Sequence, residues 1–446
     1  MSDATTQLAV VVLAAGQGTR MKSGLAKVLH PLGGRPMLHH VLAAAEALGP
    51  ERLVTVVGRD ADAVRGAFAD RSRFALQEEQ LGTGHAVLRA EAELEDFSGD
   101  VLVLYGDTPL LTAASLGRLQ EHKRATGADL VLLSAVVDVP GIVVRDPAGG
   151  LARVVEATDA SPEELTIQER NTGVYLLDRD LLWKSLAQVG RDNAQGEIYL
   201  TAVVQVLLGE GRRVEVLRLE DDDEGIGVND RLDLARAEAL LRARTLNRLM
   251  LDGVTVVDPA TTSVDVDVSV GRDTRIEPGV VIRGETQIGE RCHVKPGCVI
   301  EESVLGADVE IGPSAHLRPG CVLGDHVRIG NFVEIKNSTL GAGVKADHLS
   351  YIGDADVGEG ASFGCGSITV NYDWKDKHRT TVGPGAVVGC NVNLVAPVSV
   401  GRNAAIAAGS TITRDVPDGS LALSRSRDEK HVEGWSRRKR PPEKLE

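Results

Sequence analysis

Aromatic residues make up only 3% of this 446-residue chain, which has three tryptophans and four methionines. So few large side chains argue against one thick core, and the length argues for two or more domains. Glycine is abundant at 49 residues, which suits thin, regularly coiled layers. An excess of positive charge is also missing. The formal net charge is −15, so general nucleic-acid binding is not expected, because it needs a basic footprint. Cysteine is scarce: Cys292, Cys298, Cys321, Cys365 and Cys390 are odd in number and have no paired zinc spacing. They read as small buried residues in a reducing cytosol, not as disulfides or metal ligands. No apolar stretch approaches membrane-spanning length. The run Leu8–Ala15 (LAVVVLAA) lacks a basic start and a cleavage site, so no secretory leader is expected and the location is read as cytoplasmic.

The two halves of the chain follow different periods. In the first half, apolar strand candidates (Leu8–Ala15, Leu53–Gly58, Val101–Tyr105) alternate with amphipathic segments such as Met37–Leu48. Near-continuous aliphatic runs between helices predict a parallel sheet covered on both faces. The charged, leucine-rich segment 231–252 reads as a connecting helix. Beyond it, aliphatic residues recur every six positions: Val264, Val270, Ile276, Ile282, Ile288, Val294, Ile300. After a five-residue step the count resumes at Leu305, Ile311, Leu317, Leu323, Ile329, Ile335, and again from Val382 to Ile412. Glycine often follows the aliphatic residue. A period of six fits a solenoid of short strands, with one inward aliphatic per repeat and a small residue at each corner. The count breaks around Val370–Thr381 (VNYDWKDKHRTT), which reads as an arm projecting from the coil.

The stretch after the first strand, GQGTRMKSGLAK, combines glycines with Arg20, Lys22 and Lys27. Glycine backbone can present N–H groups to an anion, and Arg20 offers a fork for phosphate oxygens. It is neither a P-loop nor a dinucleotide fingerprint. Taken alone, GxGTR leaves an anion cradle and a solvated loop about equal.

Further segments tilt that balance. LAAGxGTRM and KVLHPLGGRPM are followed by Gln77–His85 (QEEQLGTGH), Tyr105-Gly106-Asp107 and Glu169–Gly173 (ERNTG). Together with the hexapeptide half, these closely resemble the bifunctional N-acetylglucosamine-1-phosphate uridyltransferase/glucosamine-1-phosphate N-acetyltransferase family, from about Leu8 to Trp435. The resemblance implies an α/β chain with a Rossmann-like nucleotidyltransferase domain at 1–230 and a connecting helix at 231–252. A left-handed parallel β-helix at 253–424 and a basic tail at 425–446 follow. It also implies a homotrimer and small-molecule partners: glucosamine 1-phosphate, N-acetylglucosamine 1-phosphate, UTP and acetyl-CoA.

By that resemblance, Arg20 and Lys27 meet the triphosphate and the transition state, and Asp107 and Asn229 hold Mg²⁺. Leu13, Gly16, Gln77, Gly82, Thr83 and Tyr105 belong to the nucleotide site, with Gln77, Gly82 and Thr83 reading uracil. Gly141, Glu156 and Asn171 hold the sugar, and His85 is read as structural. For acetyl transfer, His348 in ADHLSYIG matches the catalytic base, oriented by Glu334. Arg318, Lys336, Tyr351, Ser362, Asn371, Tyr372 and Lys377 match acceptor contacts. Cys365, Cys390, Ala408 and Arg425 match acetyl-CoA contacts. The basic, proline-containing tail after Lys430 reads from its own composition as a mostly solvated tail, with Arg437–Arg440 as candidate phosphate contacts.

Several positions depart from the family's pattern. Ala26 replaces a proline. A Tyr-Gly-Arg element before Ile142–Asp146 is shortened to Pro140-Gly141. Ser362 stands for asparagine, Cys390 for serine, and Trp374 for glycine. Two other readings stay open: a nucleotidyltransferase of different sugar or nucleotide preference, such as a thymidylyltransferase, or a non-catalytic regulatory homologue.

Overall fold

The structure, a computed structural model, describes residues 7–424. It divides into two compact units, Met1–Arg244 and Thr245–Glu446. The expected contacts at Arg425 and Arg437–Arg440 lie outside the described residues.

The first unit is built on a nine-stranded sheet. Its centre is β1 (Leu8–Ala14), all seven residues of which are buried. Alternate side chains go to opposite faces. Val10 and Val12 join one core with Leu38 and Leu42, whereas Val11 and Leu13 join another with Val87 and Leu182. That double burial is why the run reads as uninterrupted aliphatics. β1 pairs in parallel with β2 (Arg52–Val57), which is bordered by β3 (Arg73–Leu76), and with β4 (Asp100–Tyr105). Helix α1 (Met37–Glu46) is shorter than the segment suggested; the chain turns at Gly49, whose φ is +63.

The sheet is mixed, which corrects the parallel expectation. Beyond β4 lies a strand absent from the aliphatic-run reading. It runs antiparallel to both β4 and β5 (Leu130–Ala135) and spans Arg170–Asp178. The chain reaches it through a hairpin of β6 (Gly141–Arg145) and β7 (Leu151–Glu156), so Arg170–Asp178 is β8. A hairpin delivers the chain back without the crossover that a parallel neighbour requires. β9 (Val214–Arg218) closes the far edge, parallel to β5.

Helix α2 (Arg231–Leu251) crosses from the first unit's residues into the second's. The second unit is a left-handed parallel β-helix whose three faces are sheets of ten, nine and eight strands. Ile276 pairs with Val294 and Ile282 with Ile300, three hexads further on in each case. One coil is therefore three repeats. The inward aliphatics of the six-residue count form one continuous core, in which Val270 is partly buried and the others are buried.

The glycines that follow the inward residues answer to close approach. A Cβ on Gly289 would lie 2.4 Å from Gly306 O, and one on Gly330 would lie 1.7 Å from Asp347 O. No side chain fits at these two positions, where consecutive coils touch. The cysteines divide. Cys292, Cys298 and Cys321 are buried in the coil, where burial pushes their thiols up in pKa. Cys390 is exposed and Cys365 half-buried. The expectation of five buried cysteines therefore fails for the two at coil corners, where side chains point outward.

Candidate active sites

Leu13 of β1 pairs with Tyr105 of β4, so both strands end at one edge of the sheet, where open α/β sheets receive ligands. Gly18 turns the chain there at φ +60, and a Cβ on it would lie 2.7 Å from Lys27 Cβ. Short 3₁₀ turns at Thr19–Met21 and Lys27–Leu29 then carry Arg20 and Lys27. Ala26, which precedes Lys27, holds φ −53 and ψ 137, dihedrals that a proline shares.

Asn229 is set by the start of α2. Asp230 Oδ1 accepts from Asp233 N at 3.0 Å, and Asp233 Oδ2 accepts from Asn229 N at 2.9 Å, a reciprocal cap. Lys27 Nζ lies 2.5 Å from Asp107 Oδ2 and 2.9 Å from Asn229 Oδ1. Arg20 Nη2 donates to the same Asn229 oxygen at 2.9 Å. These four residues line one cavity of about 260 Å³ with Leu13 and Gly16. A cleft of about 420 Å³ shares Leu13, Gly16 and Asp107 with it and adds Gln77, Gly82, Thr83 and Tyr105.

In the cleft, Gln77 Nε2 donates to Gly82 O at 3.1 Å and meets His85 Nδ1 at 3.0 Å. The amide nitrogen is thereby committed to the protein, leaving Oε1 as an acceptor. Burial, then Arg89 and Arg191, lower the His85 pKa, in keeping with a structural histidine. Gly82 takes φ +106, and a Cβ there would lie 2.5 Å from Ile198 O.

Gly141, Glu156 and Asn171 come together despite the shortened segment. Gly141 pairs with Glu156 across the β6–β7 hairpin, and a Cβ on Gly141 would touch Asn171 Cβ at 3.1 Å. Asn171 Nδ2 donates to Tyr175 Oη at 2.6 Å. Burial raises the Glu156 pKa against a hydrogen bond from Thr201, with Asp159 and Glu197 adding to the rise. None of the three lines the two cavities.

In the second unit, Asn331 pairs with His348 on consecutive coils, and His348 Nδ1 meets Asn331 Oδ1 at 3.0 Å. An oxygen acceptor at Nδ1 places the proton there and leaves Nε2 as the basic nitrogen. Glu334 does not orient His348 within this chain. Its Oε1 accepts from Arg318 Nη1 at 3.0 Å, because it sits on the next face of the coil, in register with Tyr351.

Backbone bonds from Asn391 N to Cys365 O and from Gly409 N to Cys390 O stack Cys365, Cys390 and Ala408 at successive corners. Gly366 N bonds Leu349 O, which puts Cys365 one coil beyond His348. Ser362 lies elsewhere, in register with Lys345. Lys336 and Lys377 stand side by side; Lys377 lowers the Lys336 pKa, followed by burial. Asn371 Nδ2 reaches Tyr351 Oη at 3.4 Å.

The arm is a small loop between strands Ile368–Val370 and Thr380–Val382, closed by a bridge between Tyr372 and Lys377. Trp374 is 91% exposed at its tip with φ +79. Glycine is favoured there, which accounts for the glycine of the resembling family.

The MobA-like NTP transferase domain family matches residues 10–193, and the GMPPB C-terminal domain family matches residues 247–340. Proteins named "Bifunctional protein GlmU" match nearly end to end. One from a Geobacillus species is 49% identical over 94% of this chain and 95% of its own length. One from an Exiguobacterium species is 51% identical over 96% and 99%. One from Listeria monocytogenes is 46% identical over 94% and 96%.

The chain belongs to the bifunctional GlmU family. Within that family's frame, the donor set of the first cavity fits a hard divalent cation. A carboxylate oxygen of Asp107 and an amide oxygen of Asn229 converge on one positive group, the Lys27 ammonium. No group of three or more His, Cys, Asp or Glu suited to a metal exists among the described residues, so a cation here would draw its other ligands from phosphate and water.

Three residues that sequence reasoning missed belong to these sites. Gln80 and Glu197 line the larger cleft; the amide of Gln80 in QEEQLGTG was the available signal. Asn331, on the coil before His348, carried none, because only coil register brings the two together.

Proposed function

We propose that the first unit transfers a uridylyl group and the second an acetyl group, through the residues assembled above. The chain is a bifunctional enzyme of UDP-N-acetylglucosamine synthesis. Acetyl transfer to glucosamine 1-phosphate comes first, and its product is the acceptor for UTP. That nucleotide sugar supplies peptidoglycan and lipopolysaccharide precursors, which fits a cytoplasmic location.

The observation that carries this reading is the meeting of Arg20, Lys27, Asp107 and Asn229 on one cavity. The acceptor phosphate attacks the α-phosphorus of UTP in line, and pyrophosphate leaves. Both partners are anions, so the reaction needs fixed positive charge where negative charge gathers. Arg20 and Lys27 supply it. Asp107 and Asn229 would hold Mg²⁺, whose charge would be shared between the reacting phosphates. Gln77 and the Gly82-Thr83 backbone read the pyrimidine, and Gly141, Glu156 and Asn171 hold the acetamido sugar.

In the second unit, His348 Nε2 takes a proton from the acceptor amine. The nitrogen attacks the thioester carbonyl, the carbon–sulfur bond breaks, and coenzyme A leaves as the thiol. Arg318, Lys336 and Lys377 receive the sugar phosphate, while Cys365, Cys390 and Ala408 border the coenzyme. Within this chain Glu334 pairs with Arg318 and not with His348. The corner beside His348 exposes Phe332 and Leu349, which supports a homotrimer with sites between subunits.

The test is an omission assay on the full chain with glucosamine 1-phosphate, acetyl-CoA, UTP and Mg²⁺, removing one reactant at a time. UDP-N-acetylglucosamine forms only in the complete mixture. N-acetylglucosamine 1-phosphate with UTP and Mg²⁺ restores product without acetyl-CoA. Product from another nucleoside triphosphate in place of UTP would overturn the nucleotide assignment.

A further inference from the structure

The strongest unassigned group in the second unit is a buried carboxylate. Asp354 is 5% exposed and takes φ +50 at a coil corner. One coil before it, Asn337 Nδ2 donates to Oδ1 at 2.5 Å; one coil after it, Asn371 Nδ2 donates to Oδ2. The three side chains form a ladder up one edge. A ladder of this kind is satisfied by amides alone, since asparagine both donates and accepts and tolerates positive φ. The negative charge is therefore not required by the coil.

Its surroundings supply a reason for it. Lys336 precedes Asn337 in the chain, and Lys377 stands beside Lys336. Two neighbouring ammonium groups repel and favour loss of one proton. The charged groups facing Lys336 are Lys377, Asp354 and Arg318, and of these only Asp354 opposes that loss. Burial would raise the Asp354 pKa. The bonds from Asn337 and Asn371, with Lys336 and Lys377, hold it below its ordinary value, so it stays ionised. Asp354 also accepts only, which forces the Asn371 amide to turn its nitrogen inward and leaves Oδ1 for a ligand.

We propose that Asp354 is a positioning residue of the acetyl-acceptor site, fixing the flip of Asn371 and supplying the counter-charge that lets Lys336 and Lys377 stand together for a sugar phosphate. This inference rests on the acetyl-transfer reading given above. It acts through neighbours, so the readouts must separate it from a ladder that only stabilises the coil.

The experiment uses the full chain and two probes: glucosamine 1-phosphate as acceptor, and glucose 1-phosphate, which has the phosphate but no amine, as competitive inhibitor. Asp354→Asn keeps the shape of the side chain. It should raise the KM for glucosamine 1-phosphate and the Ki for glucose 1-phosphate about tenfold, as expected for losing a charge that supports charged hydrogen bonds. The KM for acetyl-CoA and the rate of uridylyl transfer should stay within about twofold. In a Lys377→Met background the same substitution should change Ki by less than about twofold, because coupled groups are not additive.

Unchanged KM and Ki with only a lower unfolding midpoint would leave a ladder and nothing more, and additive effects with Lys377→Met would also overturn the proposal. The unsubstituted chain provides a check that does not depend on the variant folding. Its Ki for glucose 1-phosphate should stay within about threefold between about pH 7 and 9, below the ordinary lysine range. A steep rise starting below about pH 8 would contradict the proposal. If the unsubstituted chain transfers no acetyl group at all, the acetyl-transfer reading itself falls.

Discussion

Replacing Lys27 by methionine isolates one positive charge in the first unit. The Lys27 side chain is 11% exposed, and its ammonium bridges Asp107 at 2.5 Å and Asn229 at 2.9 Å. A unit charge about 4 Å from the developing charge, at an effective dielectric near 20, is worth about 4 kcal/mol. Losses on removing single oxyanion donors in other enzymes are about 3–4 kcal/mol, two to three decades in rate. Methionine keeps the length and apolar packing of the stem. The Asp107 side chain is 24% exposed, so water can solvate it once its partner is gone, and the folding cost should stay near 1 kcal/mol.

Uridylyl transfer, followed by pyrophosphate release, should therefore fall about 10²- to 10³-fold with the unfolding midpoint moved by only a few degrees. Acetyl transfer, followed in the same sample by release of the coenzyme A thiol, should stay within about twofold. Loss of both activities together would mean that the substitution acts through folding. A fall in uridylyl transfer of less than about tenfold would show that this charge does not face the reacting phosphates.

Other outcomes follow from the same geometry. Chelation of divalent cations should abolish uridylyl transfer and spare acetyl transfer; equal loss of both would refute the Asp107–Asn229 assignment. His348→Ala should lower acetyl transfer by about 10²–10⁴ without touching the first reaction. Gly330→Ala places a Cβ 1.7 Å from Asp347 O and should cost about 3 kcal/mol or more, whereas Gly343→Ala, with open space but φ +67, should cost about 1 kcal/mol; denaturant titration of each compares them. Glu156 has a native pKa raised by burial, so the folded chain binds its proton more tightly than the unfolded chain. The stability this confers is complete below the ordinary carboxyl range and disappears as pH rises through the raised value. Glu156→Gln should therefore raise the unfolding midpoint at neutral pH, with a gain that shrinks toward about pH 4; a gain independent of pH would contradict the burial argument.

Sequence showed the parts of this fold that repeat or that bury both faces. The six-residue count named the inward residues because each coil places one aliphatic at each sheet. The β1 run was legible because Val10 and Val11 point into different cores. β8 was not, since Arg170–Asp178 begins with a polar motif and draws its partners from segments distant in the chain. Arg20, Lys27, Asp107 and Asn229 were named from motifs, but that one lysine bridges the carboxylate and the amide is a fact of the fold. The Asn331–His348 contact and the Asn337–Asp354–Asn371 ladder follow from coil register, which a linear reading does not compute. Glu334 shows the opposite case: its motif was clear, yet within the chain its partner is Arg318 and not His348.

The most direct test of the central claim is a crystal structure of the full chain with UTP and Mg²⁺. The account predicts the triphosphate against Arg20 and Lys27, the cation on Asp107 and Asn229, and the pyrimidine beside Gln77 and Gly82. A triphosphate bound elsewhere, with those four side chains untouched, would contradict it.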